Sequence, residues 1–279
     1  MTPTASKPVA CSPTSPTSAA ELLAETCVVQ LGRYGDILNI LPACQMLGRV
    51  ALMVAAEYAD ILQAADYVDP ITWTGDVDDL RGAVAAAGAN FKRVLVPQMF
   101  GNVPRPRTFS SYALDEWAAL GLVHEFPGQL VLRRNGERER RLASALCMDS
   151  GGPCIAVNFR GGSSPFLLGP ELLDQLRNTF RGRGCGRARI IDLSPIRGEN
   201  IVDLLGVIDR CRALLTIDTA TLHLAHASKT PTIALVSDWM DDPWRGSIPK
   251  GNIVFSCRYS QALANLPGIT RILLGLCQR

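Results

Sequence analysis

The sequence predicts an α/β protein made of two doubly wound halves, each a parallel sheet flanked by helices. Three observations carry this prediction. Short apolar runs of strand length alternate with helix-period segments through most of the 279 residues. Strand–helix units of that size imply parallel pairing through crossover helices. A sharp break at Asp149-Ser150-Gly151-Gly152-Pro153 then divides the alternation in two, as a linker would.

Met1 to Ser18 is rich in Pro, Thr and Ser and has no apolar signal core, so residues 1–25 are expected to be a disordered tail. The first half, residues 26–150, opens with the strand Cys27–Leu31 and the helix Ile37–Leu47. Strand Val50–Ala55, a short helix Glu57–Ala65 and strand Ile71–Trp73 come next. Helix Asp78–Ala87 and strand Arg93–Pro97 complete the alternation. Phe100–Arg107 has no period and contains Pro and Arg, which reads as a loop beyond a strand end. Ser111–Leu120 and Glu137–Met148 read as helices.

The second half, residues 151–279, restarts at once with strand Cys154–Asn158. Helix Pro170–Phe180, strand Arg189–Leu193 and helix Glu199–Arg210 follow. Strand Leu214–Ile217, helix Thr219–Ser228 and strand Thr232–Val236 continue the pattern. A last strand, Ile253–Phe255, precedes a final helix, Gln261–Leu274, that Pro267-Gly268 interrupts. Ligands of such sheets bind beyond the carboxyl ends of the strands, here in the cleft between the halves.

Composition narrows the class. Hydrophobic residues make up 47% and charged residues 19%, enough for a substantial core. A net charge of +2 does not by itself argue for nucleic acid, and the arginine clusters at 138–141 and 181–189 read as solvated faces. Nine cysteines occur without a Cys-x-x-Cys pair, and the histidines are His124, His223 and His226. That spacing argues against a zinc site, and buried thiols in a reducing cytoplasm are expected. Asp76-Val77-Asp78-Asp79 and Asp241-Asp242 read as surface acids rather than metal ligands. No apolar run reaches the length of a membrane span.

Two motifs carry chemistry. Asp218-Thr219-Ala220-Thr221-Leu222-His223 follows a buried strand and opens a helix, which places backbone N–H groups where an anionic ligand can sit. Asp218 itself would repel phosphate, so it is expected to cap or orient. His223 lies on the helix face of Thr219 and has two readings, a ligand contact or an anchor to the core. Asn158-Phe159-Arg160-Gly161-Gly162-Ser163-Ser164, at the end of a strand, is a second anion candidate, with Arg160 as its cation. In the first half, Arg33-Tyr34-Gly35-Asp36 leads from strand to helix without the dinucleotide fingerprint, which argues against a nicotinamide or flavin enzyme. Asp36 reads either as a helix cap or as a general base at a strand end.

The pair Gly35-Asp36-Ile37-Leu38 with Leu41-Pro42-Ala43, followed by Asp218-Thr219-x-x-x-His223-Leu224-Ala225, resembles glycosyltransferase family 9, the heptosyltransferases and their relatives. Pro231–Leu235 and Trp244–Pro249 extend the resemblance. It implies a GT-B fold of two Rossmann-like halves, with the final helix returning to the first half. It implies an inverting, metal-independent transferase taking a nucleotide-diphosphate sugar, with no cofactor. By the resemblance Asp36 is the catalytic base. The donor contacts are then Arg160, Gly161, Gly162, Ser163, Asp218, Thr219, Ala220, Thr221 and His223, and the acceptor-side contacts are Tyr34, Gly35 and Arg105. The acceptor is a glycan or a modified nucleic acid. Ala220 stands where the family has Gly, and no Lys follows Gly162. These departures keep two alternatives in view: a DNA glycosyltransferase acting on a hydroxymethylated base, hinted at by Arg105 and Arg107, and a nucleotide-sugar binder without turnover.

Overall fold

The computed structural model describes residues 25–97, 121, 130–146, 148, 151–162, 165–182, 188–238 and 252–278, which form two fully parallel sheets. The first comprises β1 (Thr26–Val29), β2 (Val50–Ala55), β3 (Val68–Trp73) and β4 (Arg93–Leu95), in the order β3-β2-β1-β4. The second comprises β5 (Cys154–Asn158), β6 (Arg189–Asp192), β7 (Ala213–Ile217), β8 (Thr232–Val236) and β9 (Ile253–Arg258), in the order β6-β5-β7-β8-β9. In both, the first strand of the half is central and the order reverses beside it. Crevices open beyond the carboxyl ends of strands at such reversals.

Period-two burial explains how the sheets are covered. Val28 points into one cluster, while Cys27 and Val29 point into another against Ala83 and Ala87 of α2 (Leu80–Gly88). Ala156 and Leu214 face the same cluster as Val28, whereas Ile155, Val157 and Leu215 face α4 (Gly169–Gly182) and α7 (Leu266–Cys277) through Leu172, Leu176 and Ile269. The two halves therefore share one buried apolar cluster. Its bridge is α1 (Tyr34–Leu47) from the first half packed on α6 (Ala220–Leu224) from the second. Gly48 ends α1 with φ at 91°, a conformation that favours glycine.

Several helices differ from their sequence expectation. Ala56–Ala64 is a 3₁₀ helix, and Glu199–Arg210 becomes a 3₁₀ turn, Ile201–Leu204, followed by one α turn, α5 (Leu205–Ile208). Asn200 sets that start: its Oδ1 accepts from Val202 N, its N–H donates to Asp203 Oδ2, and its Nδ2 donates to Asp60 O of the first half. The segment expected as helix Thr219–Ser228 is α for one turn and then 3₁₀ over Ala225–Ala227, where Asn252 Nδ2 donates to the Ala225 carbonyl. Pro267 does not interrupt the last helix; it sits in the first turn of α7, where its missing N–H costs nothing. The buried face of α7, expected against the first half, packs instead in the second half's own cluster.

The crossing segment is the one before the linker. Arg133 N donates to Ala64 O and Tyr67 Oη to Val131 O, which ties residues 131–133 to the first half. Then α3 (Gly136–Ala145) docks on α5 of the second half, with Arg138 paired to buried Asp203 and Arg134 bidentate on buried Glu139. Gly151 and Gly152, at φ 82° and 96°, turn the chain into β5. Cys27, Cys44, Cys154 and Cys211 are buried free thiols. Among the described residues no helix is long and apolar enough to cross a membrane. The tail at residues 1–24, the loop Phe100–Arg107 and the expected helix Ser111–Leu120 lie outside the described residues.

The α3–α5 contact is close enough to test. A Cβ on Gly206 would lie 2.5 Å from Cβ of Glu139. Gly206→Ala is expected to destabilise the chain by about 1–3 kcal/mol through overpacking, read as a lower urea midpoint. An unchanged midpoint would mean that α3 does not seat there.

Candidate functional site

The cleft between the two sheets has a volume of about 810 Å³ and takes wall residues from both halves. The first half supplies the β1–α1 turn and the start of the 3₁₀ segment after β2. The second supplies the ends of β5 and β7 and the stretch from Leu193 to Leu204. Tyr34, Gly35, Asp36, Arg160, Gly161, Gly162, Asp218, Thr219, Ala220, Thr221 and His223 all line this one space. Ser163, Arg105, Arg107 and the stretch Trp244–Pro249 lie outside the described residues.

Asp36 is not the residue that opens α1. It sits at the third helical position and reaches back, accepting a 2.9 Å bond from Arg33 N, so its carboxylate both secures the turn and borders the cleft. The two sequence readings of Asp36 are therefore compatible in one side chain. Gly35 lies close to the facing half: a Cβ there would meet His223 at 3.3 Å and Ala220 N at 3.7 Å. The methyl of Ala220 packs against the shared apolar cluster.

Behind the β7 turn lies a closed hydroxyl–amide network built around Asn158, the first residue of the second anion-candidate segment. Asn158 Nδ2 donates to Thr221 Oγ1 at 3.0 Å and to Thr219 Oγ1 at 3.4 Å. Its Oδ1 accepts from Ser194 Oγ and from Arg160 N, both at 3.1 Å. Thr216 and Thr219 close the set on Thr221 at 2.7 and 2.8 Å. The threonine hydroxyls thus hold the turn together, and Asn158 ties the Arg160-Gly161-Gly162 loop to it. The helix above is a single α turn, so its dipole is small and local donors matter more.

Asp218 and His223 sit at the base of the cleft, with side chains about nine-tenths buried and 3.7 Å between Oδ1 and Nε2, too far for a hydrogen bond. Burial first, and Asp36 second, push the Asp218 carboxyl up to about 7, and burial pushes the His223 imidazole down to about 4. His223 is therefore neutral near pH 7, and Asp218 is protonated in part of the population there, which lowers its repulsion of a phosphate.

Sequence reading missed the other wall residues. Arg33 reaches across the cleft, and a Cβ on Gly162 would collide with its Nη1. Arg197 is held by the carbonyls of Ser194 and Ile196. Tyr34 and Tyr58 meet edge to face at 4.9 Å, with Tyr34 Oη bonded to Asp60 at 2.7 Å. The Asp76–Asp79 acids are turn and cap residues: Asp79 accepts from Gly82 N and Asp76 from Asp78 N.

No protein-family model matches the sequence, and no curated protein matches it either. Solved structures do match. A glycosyltransferase family 9 protein from Veillonella parvula DSM 2008 superposes with a TM-score of 0.56 at 11% identity, over 88% of this chain and 89% of that one. Escherichia coli heptosyltransferase WaaC, solved with ADP, superposes at 0.52 and 14% identity, over 88% of this chain and 99% of that one. This is the GT-B fold. The two parallel sheets and the cleft between them are the GT-B layout, and the β1–α1 and β7–α6 turns face each other across it.

The buried pair makes a pH prediction. Asp218 binds its proton more tightly folded than unfolded, so its contribution is present at low pH and is lost as pH rises from about 3.8 to about 7. His223 does the reverse: its contribution is present above about 6.5 and is lost as pH falls to about 4. The two slopes oppose each other in the unaltered chain. Relative to it, Asp218→Asn should lose stability toward acid across pH 6.5 to 4, and His223→Gln should lose stability toward neutrality over the same span. Urea midpoints against pH read both, and profiles of the same slope for the two variants would refute the assignment.

Proposed function

We propose that this chain is an inverting glycosyltransferase that moves a sugar from a nucleotide-diphosphate sugar to an acceptor hydroxyl. One observation carries the reading. The carboxylate of Asp36 and the anion-compatible loop Arg160-Gly161-Gly162 open onto the same cleft from opposite halves. The GT-B fold supports it, as does a neighbour of that fold solved with ADP.

In the proposed reaction the donor diphosphate lies against the second half and the acceptor against the first. Asp36 takes the proton of the acceptor hydroxyl as its oxygen attacks the anomeric carbon. The bond from that carbon to the diphosphate oxygen breaks, the electron pair leaves with the diphosphate, and attack opposite the leaving group inverts the anomeric centre. The departing negative charge needs cations, and Arg160 and Arg33 are placed to supply them. Both are exposed at the mouth and make no ion pair with another described residue. Arg33 comes from the facing half, so the loop that carries the base also carries a charge for the leaving group. We propose that this arrangement turns over without a metal ion.

Asp36→Asn keeps an acceptor for Arg33 N but cannot take a proton. It should lower kcat by about 10²–10⁴-fold while nucleoside-diphosphate affinity, read by calorimetry, stays unchanged; full turnover would remove the base assignment. Arg33→Ala and Arg160→Ala should each weaken nucleoside-diphosphate binding about tenfold or more, with the loss shrinking in high salt. Transfer should survive EDTA, and its abolition with rescue by a divalent ion would show that a metal carries the leaving-group charge.

A further inference from the structure

The acceptor wall of the cleft has its own chemistry, and it narrows the acceptor. Resting on the transferase reading, we infer that the first-half wall is a subsite for a neutral sugar, which excludes phosphorylated glycans and DNA as acceptors.

Among the described residues that line the cleft, the first half contributes Tyr34 and Tyr58 with the carboxylates of Asp36, Glu57 and Asp60. Its one cation, Arg33, leans away over Gly162 toward the second half. The remaining arginines, Arg160 and Arg197, belong to the second half, together with Glu199 and Asp218. A donor diphosphate claims the cations at the mouth. Among the described residues, a second polyanion would then face three carboxylates on this wall, and like charges so juxtaposed cost binding.

The same wall suits a pyranose. Tyr34 and Tyr58 are fixed edge to face, and the Tyr34 hydroxyl is pinned on Asp60, so the rings are held in place before a ligand arrives. An aromatic pair offers an apolar surface to the C–H face of a sugar ring. Carboxylates are acceptor-only groups that take hydrogen bonds from its hydroxyls. Asp60 is itself locked to the second half through Ile201 N and, by its carbonyl, through Asn200 Nδ2, which fixes the wall relative to the donor side. Base, ring platform and hydroxyl acceptors thus share one surface.

The test is binding of the full-length chain, loaded with a nucleoside diphosphate and also without it, to an array of neutral oligosaccharides, their phosphorylated and uronic-acid counterparts, and duplex DNA containing hydroxymethylcytosine. Neutral glycans should be retained and the acidic ones and DNA should not. Tyr58→Ala should weaken retention about tenfold, Tyr58→Phe should keep it, and Glu57→Lys should admit acidic glycans. Retention of acidic glycans or DNA by the unaltered chain, indifference to Tyr58→Ala, or no glycan retained at all overturns the inference. Nucleoside-diphosphate affinity is read separately by calorimetry; if that alone fails, it is the transfer reaction that falls.

Discussion

The structure depends on the buried apolar contact between α1 and α6, which makes the two sheets share one core. Hydrophobic burial is strong but non-directional, so it holds the halves together without choosing their register. The register comes from polar groups at the edge of that contact. Gly35 admits His223 closely, Asp60 takes Tyr34 Oη and Ile201 N, and Asn200 closes on the Asp60 carbonyl. These contacts bring Asp36 of one half opposite Asp218 of the other. Much of the cleft's chemistry follows from that facing arrangement.

The cleft is layered by charge. At its base the dielectric is low, and burial raises the Asp218 carboxyl, with Asp36 adding to the shift, and lowers the His223 imidazole. Around them a fully satisfied network of Asn158, Thr216, Thr219 and Thr221 fixes the turn that a donor would approach. Arginines sit at the solvent edge, where their charge costs nothing to keep and is available to a ligand. Carboxylates and tyrosines occupy the remaining wall. Such a gradient is the basis of the proposed reaction, in which a diphosphate lies at the mouth and an uncharged hydroxyl meets Asp36.

The legible part of the site lies where local geometry is enough. A turn after an apolar strand puts its residues at the carboxyl edge of a sheet, so Asp36, Arg160 and Asp218 could be located from strand-ending runs alone. The parts played by Asn158, Ser194 and Arg33 could not be read that way, because each matters through a partner far away in the chain. Helix lengths were misread for a related reason. Glu199–Arg210 and Thr219–Ser228 carry helical periodicity, yet capping by Asn200 and the bond from Asn252 to the Ala225 carbonyl tighten parts of them into 3₁₀ turns. Periodicity reports which side is buried, and it does not report which hydrogen bonds close the turn.

The sequence by itself determined the two-sheet architecture and the strand-end turns that border the cleft. Both follow from short-range patterns of apolar periodicity and turn residues. The tertiary structure decided which turns face each other, that α3 and not the last helix crosses between halves, and that Ala220 serves the core. It also decided that Arg33 serves the opposite wall. Those outcomes depend on packing between segments far apart in the chain, which leaves no mark on either segment read alone.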